Sequence, residues 1–181
     1  MTGLKTTTVF RESSDTDSGV FMNTTETVEK LVLDGKLPEY RVLFVCTGNT
    51  CRSPMAEVLY NSLAKQIGIN STASSAGLFA NGANISQHAK TVLLENGLVS
   101  DGFSRKSVQI DGEMCKNADV IIGMTEAHAM RLIISFPEYA SKIKALDTEI
   151  GDPFGGYLDT YRECFEQIKK AVTEEFFAEL L

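Results

Sequence analysis

A cysteine and an arginine bracket five residues in the segment Cys46-Thr47-Gly48-Asn49-Thr50-Cys51-Arg52-Ser53. Spacing of this kind suits a loop that wraps one anion. Consecutive backbone N–H groups in such a loop point inward at a single oxyanion. A helix starting just after it adds unpaired N–H groups and the positive end of a dipole. Arg52 offers a planar fork that matches two oxygens of a phosphoryl group. Gly48 is expected to take a backbone conformation that a larger residue resists. The field that holds a dianion also favours a thiolate, and Ser53 is placed to donate a hydrogen bond to that sulfur. The segment therefore reads as a nucleophilic Cys46 under a phosphate cradle, suited to in-line attack on phosphorus. No metal or other cofactor is expected, because Arg52 and the amides of Thr47 to Ser53 neutralise the equatorial oxygens. The Cys-x5-Arg spacing alone is weak; the flanking strand and helix patterns carry the reading.

Those flanks begin at Arg41. RVLFVC is a nearly continuous apolar run, as expected of a strand buried on both faces. Pro54 is expected to open a helix through Gly68, with Met55, Val58, Leu59, Leu63 and Ile67 at helical spacing. Ser71 to Ala76 reads as a second strand, and Ser86 as the cap of a helix to about Asn96. Asp111 to Ala118 reads as a short helix, and Asp119-VIIGM as a third strand. Thr125 is expected to cap a helix through Ile134, and Lys142 to Leu146 to form a short fourth strand. After Asp152-Pro153-Phe154-Gly155-Gly156, a final helix carries Leu158, Tyr161, Phe165, Ile168, Val172 and Phe176 on one face. This alternation predicts an α/β fold: a central four-stranded parallel sheet flanked by helices on both faces. Ligands in such sheets gather at the carboxyl ends of the strands, which is where Cys46 falls.

The chain has 181 residues, room for one ordinary domain. Residues 1–28 contain 11 Ser or Thr and few large apolar groups, too little surface to offset ordering entropy. Residues 1–40 are therefore expected to be a partly disordered N-terminal extension, with a short helix over Thr24 to Leu33, and residues 41–181 the domain. The formal net charge of -7 argues against nucleic acid or anionic membrane as a general partner. No apolar run approaches the roughly 20 residues of a membrane span, and the N-terminus lacks the apolar core of a secretory signal. Four cysteines do not make a disulfide scaffold and suit a reducing cytoplasm.

FVCTGNTCRSPMAE resembles the active-site loop of the low-molecular-weight protein tyrosine phosphatase family. The resemblance continues through Ser75-Ala76-Gly77, Asp119-VIIGM-Thr125 and the Asp152-Pro153-Phe154-Gly155-Gly156 turn. It implies that Cys46 forms a phosphocysteine intermediate and that Arg52 stabilises the transition state. Asp152 would protonate the leaving group and later activate water. Asn49, Ser53 and Ser75 fall where the family keeps a hydrogen-bond network that shapes the loop. A histidine that often completes this network has no counterpart, since Gly102 or Phe103 stands there. Cys51 matches a second loop cysteine that pairs with the nucleophile on oxidation and protects it from further oxidation. Cys115 and Cys164 read as core residues, and His88 and His128 as surface or capping residues. Phosphate and vanadate are the expected inhibitors, and phosphorylated proteins or peptides the substrates.

Thr50 and Phe154 bear on which phosphorylated residue is taken. Members directed at phosphotyrosine usually carry a branched aliphatic residue at the position of Thr50, and an aromatic pair after Asp-Pro. CTGNTCRSPMAE with DPFGG looks like the bacterial protein-arginine phosphatase branch. A hydroxyl at Thr50 suits a polar guanidinium better than a flat apolar ring, and Asp152 can pair with that guanidinium. Phosphotyrosine remains the alternative. An arsenate reductase would need two relay cysteines after the third strand, where EAHAMRL has none. A non-catalytic phosphate-binding module is disfavoured by the presence of Cys46, Arg52 and Asp152 together.

Overall fold

The computed structural model describes residues 39–98 and 104–178. The expected N-terminal extension and its helix over Thr24 to Leu33 lie outside those residues, apart from the last two positions of the extension, and so do Gly102 and Phe103. Strand β1 (Tyr40–Cys46) lies between β2 (Ser71–Gly77) and β3 (Val120–Gly123), and β4 (Ile143–Ala145) pairs with β3. All pairings are parallel and the order is β2-β1-β3-β4, the four-stranded parallel sheet that the alternation predicts. Cys46 pairs with Gly77, and Val45 with Gly123, so the loops leaving β1, β2 and β3 start from one edge of the sheet.

Successive β1 side chains point to opposite faces, and each face meets its own core. Val42 and Phe44 pack with helices α1 (Arg52–Ile67), α2 (Gln87–Glu95) and α5 (Leu158–Phe176). Leu43 and Val45 pack with α3 (Gly112–Asn117) and α4 (Glu126–Ser135). Burial on both faces is why β1 reads as an unbroken apolar run. On the first face Phe44, Tyr60 and Phe176 stand edge to face, with ring centroids 5.2 to 6.1 Å apart. Phe44 is fully buried, so Phe44→Ala would cost about 3–5 kcal/mol.

Element ends differ from expectation in ways that have local causes. Helix α1 begins at Arg52, two residues before Pro54. Proline is still tolerated there, because the first-turn N–H groups have no partner within the helix. Ser86 occupies the position before α2 without capping it through its side chain, whereas Asp111 and Thr125 do cap α3 and α4. The third strand stops at Gly123, before Met124. The fourth is shorter than Lys142 to Leu146, because a 3-10 turn over Pro137–Lys142 runs directly into it.

Candidate active site

The loop between Cys46 and Arg52 is shaped by Asn49. Its φ of 53° makes it the one non-glycine residue with positive φ among the described residues. Gly48 has no such conformation, which corrects the expectation that the glycine supplies it. A left-handed asparagine costs on the order of 1 kcal/mol or more and persists only if its surroundings hold it. They do. Asn49 is fully buried. Its Nδ2 donates to Ser53 Oγ at 3.0 Å and Ser75 Oγ at 2.8 Å, and its Oδ1 accepts from the Val108 N–H at 2.9 Å. Beneath the loop lies Gly77, where an added Cβ would sit 2.9 Å from backbone atoms of Thr47, Gly48 and Asn49.

Cys46 Sγ accepts from the Asn49 N–H at 3.3 Å and is joined to Ser53 Oγ at 3.1 Å. Ser53 has one hydroxyl proton and two places for it, the Ala76 carbonyl at 3.2 Å and the sulfur. With a thiol the proton rests on the carbonyl; with a sulfur anion it turns to the sulfur. Arg52 opens α1 and is nearly buried. Its Nη2 donates to Asp152 Oδ2 at 2.8 Å and, more weakly, to Thr47 Oγ1 at 3.4 Å. Asp152 is half exposed, and its other oxygen accepts from the Phe154 N–H at 3.2 Å. Cys46, Thr50, Arg52, Phe79, Asp152 and Phe154 line one pocket of about 360 Å³, within the usual range for small-molecule sites. Residues 100 positions apart are thus brought to one cavity. Phe79 and Phe154 are both largely exposed at its mouth.

Three residues that the sequence did not place at the site support it. Ser75 Oγ donates to Glu57 Oε2 at 2.6 Å, and Arg105 Nη2 donates to both Ser75 Oγ and Glu57 Oε2. Arg105 therefore completes the network where the resemblance offered only Gly102 or Phe103. Burial pushes the Glu57 carboxyl up, while Arg105 and Ser75 pull it back. Glu57 lies one turn beyond Ser53 on α1, so helical spacing was a signal; for Arg105 the sequence held none.

The third is His128, which is buried rather than on the surface and takes part in the α4 cap as expected, its N–H donating to the Thr125 hydroxyl. It is 7% exposed, with Nε2 at 2.9 Å from Thr47 Oγ1 and Nδ1 at 2.6 Å from Thr125 Oγ1. Burial, then the nearby Arg52 charge, push its imidazole down to about 4, so it is neutral at pH 7. Its place one turn after the carboxyl end of β3 was the available clue.

The remaining candidates are quieter. Cys51 is buried, with Sγ 3.2 Å from Tyr161 OH. Burial pushes the Cys115 and Cys164 thiols up to about 11 and about 12, as befits core residues. His88 stands edge to face with Tyr161.

Among known proteins, the family described as low molecular weight phosphotyrosine protein phosphatase matches residues 41–181. The chain is 33% identical over 141 residues to a protein-arginine-phosphatase of Bacillus subtilis (strain 168), covering 74% of this chain and 92% of that protein. It is 39% identical over 139 residues to the low molecular weight protein-tyrosine-phosphatase PtpB of Staphylococcus haemolyticus, covering 71% and 91%. A solved structure of the YwlE arginine phosphatase, with serine in place of cysteine and that active-site serine phosphorylated, superposes with a TM-score of 0.69. It is 30% identical, over 76% of this chain and 98% of that one.

Proposed function

The chain belongs to the low molecular weight phosphotyrosine protein phosphatase family, and on that premise we propose that it removes phosphate from phosphoarginine in proteins through a phosphocysteine intermediate. The observation that carries the chemistry is the convergence of Cys46, Arg52 and Asp152 on one pocket. The phosphoryl group enters the loop with its bridging nitrogen facing out. Cys46 Sγ attacks phosphorus from the opposite side, and the P–N bond breaks as the P–S bond forms. Asp152 gives its proton to the departing guanidine nitrogen. Arg52 and the amides of Thr47 to Ser53 hold the equatorial oxygens; each such donor is worth about 3 kcal/mol in the transition state. In the second step Asp152 takes a proton from water as the water oxygen attacks phosphorus. Cys46 leaves as a thiolate that the Ser53 hydroxyl turns to meet. The Arg52–Asp152 contact opens when phosphate arrives, because a dianion outcompetes one carboxylate for the guanidinium.

Support for arginine over tyrosine comes from Thr50, a pocket-lining residue whose hydroxyl lies 3.5 Å from Cys51 Sγ, and from the arginine-phosphatase relative. The tyrosine-phosphatase relative favours phosphotyrosine as the second reading. Parallel kcat/KM measurements on phosphoarginine and phosphotyrosine peptides, with Cys46→Ser as blank, decide between them. A preference for phosphotyrosine would overturn the arginine reading. Absence of turnover on both, with phosphate still bound, would leave only a binding module. EDTA should leave the activity unchanged. Residues 41–181 are proposed as the catalytic domain, and Cys51 as the thiol that traps an oxidised Cys46.

A further inference from the structure

Asp152 sits on a loop, and its side chain meets Arg52 Nη2 and the Phe154 N–H, contacts that orient the carboxyl and the turn after it but not the chain before it. The residue before it is fixed by a helix. The Gly151 N–H donates to Gln167 Oε1 at 2.9 Å, and the Gly151 carbonyl accepts from the Cys164 thiol at 3.4 Å. Cys164 and Gln167 are three positions apart on α5, so they lie one above the other on the same face. Both polar groups of one residue are thus taken by a single helix turn. Cys164 is 3% exposed, and its raised pKa keeps it a thiol and therefore a donor. Ile150, 2% exposed, anchors the chain in the core just before this clamp. A Cβ on Gly151 would make only ordinary contact, 3.5 Å from Gln167 Oε1. The hydrogen bonds, rather than lack of space, tie this residue to α5.

We propose that Gln167 and Cys164 are positioning residues for proton transfer by Asp152, holding the Gly151 peptide so that the carboxyl faces the leaving atom. This rests on the reading of Asp152 as proton donor. A misplaced acid harms a substrate in proportion to how much its leaving group needs the proton. Loss of loop or phosphate binding harms all substrates alike.

The test compares kcat/KM for phenyl phosphate, a poor leaving group, with para-nitrophenyl phosphate, a good one. Gln167→Leu should lower the first about tenfold and the second by no more than about twofold, the scale of one hydrogen bond lost in the transition state. Gln167→Ala should behave likewise, and Cys164→Ala should show the same sign. Gln167→Glu keeps an acceptor over the Gly151 N–H and should retain phenyl phosphate activity within about twofold. Equal losses on both substrates, or no loss, in Gln167→Leu and Gln167→Ala would overturn the inference. Asp152→Asn in the same series separates the two readings. If it shows no leaving-group dependence, Asp152 is not the donor. If it shows a steep one while the Gln167 variants do not, the clamp alone fails.

Discussion

Single side chains in this site act by where they put a proton or a charge. Thr50 lines the pocket from within the Cys46–Arg52 loop, and its hydroxyl is what distinguishes it from a branched aliphatic residue. Thr50→Ile should shift the kcat/KM ratio toward phosphotyrosine over phosphoarginine by about tenfold, the scale of one buried hydrogen bond exchanged for apolar contact. A flat ratio would remove Thr50 as a specificity residue. Arg105 is a different case, because it never touches the pocket. It neutralises Glu57 and orients Ser75, which in turn holds Asn49. Arg105→Met leaves a largely buried carboxylate unpaired, so we expect about 2–4 kcal/mol of lost stability by urea unfolding. The strained Asn49 turn would relax with it, and kcat/KM would fall for every substrate alike. Ser75→Ala should reproduce the activity loss with a smaller loss of stability.

Elements set the site through contacts at their ends. The carboxyl end of β2 lies so close under the Cys46–Arg52 loop that only a glycine fits at position 77. Gly77→Ala should push the loop amides out of register. Activity should drop by at least about tenfold, roughly half of one donor's worth of transition-state stabilisation, with the helical circular dichroism retained. Gly123 is tighter still. Its added Cβ would meet the Ala129 backbone nitrogen at 2.5 Å, so Gly123→Ala should displace α4 and destabilise the fold by about 2 kcal/mol or more. The two substitutions separate a loop defect from a packing defect, and comparing activity with thermal unfolding reads them apart. Helix α5 contributes in a third way, covering the core with its Tyr161, Phe165, Ile168 and Val172 face while its Cys164 and Gln167 side chains reach Gly151, next to Asp152.

At the scale of the molecule, the site is a junction between strands and helices whose stability follows its chemistry. His128 ties the start of α4 to Thr47, and it folds neutral with its value lowered to about 4 from the ordinary 6.5. The unfolded chain takes up that proton first as pH falls. The stability His128 contributes is therefore complete above about pH 6.5 and is lost as pH falls toward 4, by about 3 kcal/mol in total. Urea unfolding at pH 7 and 4.5 should show this acid loss in the wild type and a smaller one in His128→Gln. Phosphate binding should act in the opposite direction. At a hundredfold excess over its Kd it should add about 2.7 kcal/mol, and Arg52→Ala should abolish that gain. An unchanged melting temperature in phosphate would count against the pocket as an anion site.

The sequence by itself determined the strand and helix order, the parallel sheet, and the placing of Cys46 and Arg52 around a strand-to-helix loop. Those features are written in local periodicity, caps and spacing, which neighbouring residues dictate. Asp152 was legible only through its motif, since nothing local ties it to a loop 100 residues away. The tertiary structure decided the rest. It gave the positive φ to Asn49 rather than Gly48, because Ser53, Ser75 and Val108 converge on that one side chain. It put Arg105 in the network and His128 beside Thr47, and it laid Gln167 and Cys164 on Gly151. Apart from the Asn49–Ser53 bond, which lies within the loop itself, each of these is a contact between segments separated in the chain, and its formation depends on how the helices pack on the sheet, which no short window of sequence encodes.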